Sequence, residues 1–165
     1  MSNIQLNIQQ LHALQEMKKG WNCFLTGPGG VGKSFLIDIF VKWAKQKYRF
    51  NPKSVAVTST TGISALLING NTIHSFAGIG FGEERIEILL RKIKKNNAAK
   101  MRWKFIKVLI IDEISMLNPL LFKKLEKIAR ILKGNDLPFG GIQIILSGDF
   151  AQLPAVKSLK FCFET

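Results

Sequence analysis

The sequence predicts a three-layer α/β domain, with helices packed on both faces of a mainly parallel sheet. Three observations carry that reading. Short apolar segments rich in β-formers alternate with segments whose apolar residues recur at helical spacing. A glycine-rich turn, Gly27–Ser34 (GPGGVGKS), joins the first of these strands to a helix. The run Val108–Ile111 (VLII) is apolar throughout, which suits a strand covered on both sides.

Taken in order, residues 5–19 carry Leu6, Leu11, Leu14 and Met17 with polar residues between them, the pattern of a first helix. A strand over 22–26 leads into the glycine turn. Beyond it Leu36, Ile39, Phe40, Trp43 and Ala44 fall on one helical face. Asn51-Pro52 breaks the chain, Ser54–Ser59 (SVAVTS) reads as a second strand, and a short helix follows from Gly62 to Ile68. Asn69-Gly70-Asn71 is a turn signal. Residues 84–95 form a charged helix, and VLII the third strand. Asn118 as cap with Pro119 at the first turn opens a helix whose stripe is Leu121, Leu125, Ile128, Ala129 and Leu132, ending at Gly134. A glycine-containing loop, Pro138–Gly141, precedes a fourth strand, Gln143–Leu146 (QIIL).

At 165 residues the chain fits one domain that buries roughly two-thirds of its unfolded surface. Lys and Arg number 24 against 11 Asp and Glu, a net charge of +13 that points to a polyanionic partner such as nucleic acid. Cys23 and Cys162 have no CxxC spacing and no His cluster, which fits reduced thiols in an intracellular compartment. MSNIQLNIQQ lacks the basic region and apolar core of a signal peptide. The stretch Ser54–Gly82 holds no charged residue, yet it is too polar and glycine-broken for a membrane span. It is expected to lie buried or to face a ligand. Arg91–Lys107 has eight Lys or Arg and no acid; it reads as a solvated face, with nucleic-acid contact as the alternative.

The chemistry gathers at strand ends, where open parallel sheets bind ligands. Gly27–Ser34 is a complete G-x-x-x-x-G-K-[ST] phosphate loop. Gly29, Gly30 and Gly32 let backbone N–H groups close on a polyphosphate. Lys33 places a positive charge on the β- and γ-phosphates, and the Ser34 hydroxyl can ligate Mg²⁺. The loop predicts a nucleoside triphosphate as ligand. The third strand runs into Asp112-Glu113, one carboxylate for the Mg²⁺ shell and the next as general base on the attacking water. The fourth ends in Ser147-Gly148-Asp149, and beyond it Gln152 offers an amide that could report the γ-phosphate.

Three strings together resemble successive motifs of the Pif family of superfamily-one DNA helicases: VAVTSTTGISALLINGNTIHSFAGIG (Val55–Gly80), LIIDEISML (Leu109–Leu117) and GGIQIILSGDFAQLPAV (Gly140–Val156). The likeness runs from about Leu6 to the last residue. It implies a RecA-like first motor domain of an ATP-dependent helicase that moves five-prime to three-prime along single-stranded DNA. It implies that Gln10 reads the adenine edge, and that Gly27, Gly29, Gly30, Val31, Gly32, Lys33 and Ser34 form the nucleotide loop. Asp112 and Glu113 become the metal and water pair, and Gln152 the residue coupling γ-phosphate to DNA movement. Thr60, Thr61 and Gly62, with His74, Ser75 and Phe76, fall in stretches that line the family's single-strand channel, His74 and Phe76 being placed to stack on bases.

Such a helicase needs a second RecA-like domain to supply arginines to the transition state. Nothing after Val156 resembles the later motifs, so the chain is expected to be one wall of an ATP site completed by a longer protein. Alone it should bind ATP·Mg²⁺ weakly and turn it over slowly. Two other functions share parts of this motif set: a RecD-like subunit of a recombination or nuclease complex, and a nucleotide-gated clamp on single-stranded DNA. SGDFAQLPAV together with HSFAG favours the helicase.

Overall fold

A computed structural model of the chain describes residues 5–149. Five strands, β1 (Cys23–Thr26), β2 (Val55–Ser59), β3 (Asn71–Thr72), β4 (Val108–Asp112) and β5 (Gln143–Gly148), form one sheet in the order β1-β5-β4-β2-β3. Every neighbouring pair is parallel. Helix α1 (Ile8–Lys19) precedes β1; parallel neighbours need crossover connections, and these carry α2 (Lys33–Lys47), α3 (Gly62–Leu67), α4 (Ile73–Ala77), α5 (Ile86–Lys95), α6 (Asn97–Phe105) and α7 (Pro119–Lys133).

The two faces of β4 show the three layers directly. All five of its residues are buried. Val108 and Ile110 pack with Leu14 and Met17 of α1 and Leu36, Phe40 and Ala44 of α2. Leu109 and Ile111 pack the other way, with Ile93 of α5, Trp103 of α6 and Leu125 and Ile128 of α7. Alternate side chains on a pleated strand point to opposite faces, so one apolar run feeds two cores.

Several elements depart from the sequence expectation for identifiable reasons. The first helix begins at Ile8, because Asn7 and Gln10 close a capping box: Gln10 N donates to Asn7 Oδ1 and Asn7 N to Gln10 Oε1. Leu11 is 47% exposed and lies off the buried stripe of Leu14 and Met17. Helix α6 was not expected. Asn96 caps it by accepting from Ala99 N, but only Ala99 and Trp103 are buried along its length, so the apolar period is too sparse to read. The expected turn is present at Asn69 (φ 50°), and directly beyond Gly70 the chain enters β3, which pairs with β2. Gly70 permits that approach, since a Cβ there would stand 2.4 Å from the Val57 carbonyl oxygen.

The uncharged stretch splits in two. Ile73, Phe76, Ala77 and Ile79 enter the core, whereas Ile63, Leu66 and Leu67 on α3 are 77–79% exposed. Among the described residues no helix is long and apolar enough to cross a membrane.

Candidate nucleotide site

Four strands deliver their C-terminal residues to one edge of the sheet. In register, Thr26 of β1 lies beside Gly148 of β5, and Ser59 of β2 beside Asp112 of β4. A cavity of about 370 Å³ opens there, lined by Gly29, Gly30, Lys33 and Ser34 of the loop, Asp112 and Glu113 after β4, and Asp149 after β5. Gly30 and Gly32 hold left-handed backbone, φ 80° and 85°, a conformation that side chains disfavour. A Cβ on Gly29 or Gly30 would meet nothing within 4 Å, so the backbone itself faces open space. That is the cradle a polyphosphate requires.

Lys33 opens α2 and its ammonium donates to the carbonyls of Gly27 and Pro28, the latter at 2.9 Å. The loop therefore keeps its own lysine poised over its mouth. Asp112 is buried (8% exposed) and ends β4, and Glu113 follows in left-handed geometry, φ 54° and ψ 40°. A non-glycine residue there stores roughly 1–3 kcal/mol of strain, and it turns the Glu113 side chain out of the strand's alternation. Burial pushes the Glu113 carboxyl above the usual carboxylate range, with the charges of Asp112 and Asp149 adding to it and Lys33 opposing. A raised carboxyl is a better proton acceptor from water.

The Ser34 hydroxyl and the Asp112 carboxylate are hard oxygen donors that fit Mg²⁺. Among the described residues no cluster of three His, Cys, Asp or Glu could hold a metal by itself. A Mg²⁺ at this place would take its other ligands from phosphate and water, as Mg²⁺ generally does at nucleotide sites.

Gln10 and Val31 lie on a second cavity of about 490 Å³ that continues along the loop past Gly27 and Gly32. The Gln10 amide is already engaged, accepting from Asn7 N and donating to Val31 O at 3.2 Å. It thus ties the start of α1 to the phosphate loop and stands on the wall of that cavity. Gln152 lies outside the described residues.

A third cavity, about 490 Å³, is lined by Thr60, Thr61 and His74 together with Phe81, Leu120 and Lys124. The expected channel residues are only partly brought to it. Gly62 and Ser75 are exposed but do not line it. Phe76 corrects the expectation outright: it is 3% exposed, and its ring tilts against Trp103 at 5.5 Å between centroids. Its apolar bulk is needed under α6, so it cannot stack on a base. His74 is half-buried, and burial lowers its pKa. The Thr60 hydroxyl donates to the Glu113 carbonyl at 3.2 Å, and Thr61 Oγ1 accepts from Ser64 N as the cap of α3.

The basic stretch 91–107 is not simply a solvated face. Arg102 donates to the carbonyls of Phe76 and Ser75, at 2.7 and 2.8 Å, and Lys92 pairs with Glu84. Three residues of these sites escaped the motif reading: Asp149, Phe81 and Lys124. Asp149 was visible as the end of the fourth strand, opposite the loop. Phe81 carried a signal too, an aromatic held between Gly80 and Gly82.

Comparison with known proteins agrees with this geometry. Residues 5–160 match the family model described as PIF1-like helicase. The chain is 48% identical to the ATP-dependent DNA helicase PIF1 of Emericella nidulans, over 94% of its own length and 22% of that protein's. It superposes on the crystal structure of Pif1 helicase from Candida albicans with a TM-score of 0.93 and 47% identity, covering 98% of this chain and 36% of that one. A Bacteroides Pif1 helicase in complex with ADP-AlF3 and ssDNA matches at a TM-score of 0.67 and 30% identity, over 95% of this chain and 35% of that one. The chain spans less than a third of the length of the curated relatives it matches. A parallel sheet with a phosphate loop after β1 and an acidic pair after β4 is thus the RecA-like domain those helicases carry, and the chain belongs to the PIF1-like helicase family.

Proposed function

We propose that this chain is the ATP- and single-strand-binding first motor domain of a DNA helicase that moves five-prime to three-prime and opens single-strand/duplex junctions. One observation carries it. The nucleotide cavity and the Thr60–Thr61 cavity share a wall, because Thr60 donates directly to the backbone of Glu113. An ATPase whose base is bonded to its strand-binding segment is built to couple the two.

In that role the loop N–H groups and Lys33 bind the β- and γ-phosphates, leaving the Gly27 and Pro28 carbonyls. Ser34 and Asp112 hold Mg²⁺, whose chemistry is to draw charge from the phosphate oxygens. Glu113 orients water and takes its proton, and Gln10 holds the adenine edge. Gln152 senses the γ-phosphate. A second RecA-like domain closes the other side of the site and supplies cationic groups. Thr60, Thr61 and His74 contact the strand. The half-buried free thiol of Cys23 and work on DNA both fit an intracellular setting.

The test pairs two measurements. A polypeptide carrying this domain and its second motor domain should show ssDNA-stimulated ATPase and should unwind forks with a five-prime tail but not a three-prime tail. The 165-residue chain alone should bind nucleotide with slow turnover. Vigorous DNA-stimulated hydrolysis by this chain alone, or unwinding from three-prime tails, would refute the assignment.

A further inference from the structure

We propose that Phe81 is a base-stacking platform of the single-strand channel, a site that rests on reading the Thr60–Thr61–His74 cavity as that channel. The ring is 89% exposed and lines that cavity. An exposed phenylalanine adds nothing to the core, yet this one stands on an unusually fixed pedestal. Gly80 and Gly82 on either side hold left-handed backbone, φ 61° and 73°. Lys124, from α7, donates to three successive carbonyls just beyond the ring: Gly82 at 3.0 Å, Glu83 at 2.9 Å and Glu84 at 2.9 Å. Gly82 is pressed so closely beneath α7 that a Cβ there would be 2.7 Å from Leu121 Cδ1.

With the backbone beneath it pinned, the ordering cost of presenting this ring to a flat partner is confined to the rotamers of the side chain itself. Nucleobases are such partners, and stacking on an aromatic is tolerant of sequence because every base has a π-face. The cavity offers the two halves of a nucleotide different walls. Glu83 and Lys124, one acidic and one basic, both line it with Phe81, so their charges offset and the exposed ring is what favours a base. Thr60 and Thr61, also on this cavity, are uncharged. A strand crossing it therefore turns a base toward Phe81 and its backbone toward the threonines. The site takes single-stranded DNA through one nucleobase, irrespective of which base it is.

The experiment compares two strands on the 165-residue chain. Fluorescence anisotropy would measure binding of a labelled oligothymidylate about a dozen nucleotides long, and of an abasic strand of equal length. The wild-type chain should prefer the strand with bases. Phe81→Ala should weaken oligothymidylate binding by about 5- to 150-fold, the range for loss of one stacked base, and leave the abasic strand unaffected. Phe81→Tyr should keep the preference. Phe81→Leu, which retains apolar bulk without a ring, should lose it. A 2-aminopurine in the strand should be quenched by the wild-type chain and not by Phe81→Ala. With the ring so exposed, all three variants should melt as the wild type does. Equal weakening of both strands, full affinity in Phe81→Leu, or a lowered melting temperature would each overturn the platform. Failure of the wild-type chain to bind either strand would overturn the channel reading itself.

Discussion

Replacing Thr60 by Val should slow ATP hydrolysis without changing nucleotide affinity. Valine keeps the β-branched shape that β-rich backbone favours and removes only the hydroxyl that donates to the Glu113 carbonyl at 3.2 Å. That bond matters because Glu113 sits at φ 54°, ψ 40°, a geometry that costs a non-glycine residue roughly 1–3 kcal/mol and must be held by its surroundings. A net hydrogen bond contributes about 0.5–1.5 kcal/mol. If that support is spent on keeping the base aligned, its loss lowers kcat by about two- to tenfold. The phosphate loop is untouched, so the Kd for a fluorescent ATP analogue should stay at the wild-type value. The assay is steady-state ATPase of a polypeptide with both motor domains, at saturating ssDNA. Thr60→Ser retains the hydroxyl and should recover most of the rate. A wild-type kcat in Thr60→Val, or equal losses in Thr60→Ser and Thr60→Val, would refute the reasoning.

Lys33→Ala should weaken ATP binding by about 10- to 150-fold, as expected for one charged hydrogen-bond donor to phosphate, measured by titration calorimetry on this chain. Gly70→Ala should destabilise the fold by roughly 1–3 kcal/mol, seen as a lower urea midpoint, because its Cβ would fall 2.4 Å from the Val57 carbonyl oxygen. Burial lowers the pKa of His74 below its ordinary 6.5, so the folded state binds fewer protons there than the unfolded state. Its contribution to stability should therefore be lost as pH falls through about 6.5 toward the folded pKa, and be constant above. Urea unfolding of His74→Gln between pH 7.5 and about 5 should show a shallower acid loss than wild type; identical profiles would exclude the effect.

What could be read from the chain depended on how local the cause was. GPGGVGKS and VLIIDE carry their structure in their own letters, since the glycines, the lysine and the apolar run act where they stand. Gln10 was found by likeness alone, and the structure supplies its physical context, a capping box that leans on the phosphate loop. Helix α6 and the burial of Phe76 depend instead on a partner far along the chain. Trp103 donates from Nε1 to Ala77 O at 3.0 Å and packs against Phe76. No window around either residue contains that contact. Phe81 was passed over for the converse reason: apolar letters in an uncharged stretch suggest burial, and its exposure is imposed by the loop that Lys124 holds.

The same long-range logic explains how strand and nucleotide could communicate. Along the C-terminal end of β2, three consecutive hydroxyls reach across to carbonyls of β4 and the residue after it: Thr58 to Ile110 at 2.7 Å, Ser59 to Asp112 at 3.4 Å and Thr60 to Glu113 at 3.2 Å. The first two supplement a regular parallel ladder, but the third leaves it, because Glu113 has already turned into left-handed geometry. The regular ladder thus ends at Asp112, one residue before Glu113. Beyond it, the Thr60 hydroxyl ties the segment after β2 to Glu113. On the proposed function, a strand bound at Thr60 would act on Glu113 through this bond. Coupling of this kind requires an element with two arrangements; on the function proposed above that element is Glu113, at positive φ with its carbonyl accepting from both Thr60 Oγ1 at 3.2 Å and Met116 N at 3.0 Å. The uncharged composition of Ser54–Gly82 then has a mechanical reason as well as a packing one: hydroxyls at 58–60 serve as cross-strand ties, a role that charged side chains at a buried sheet edge could not fill without a large desolvation cost.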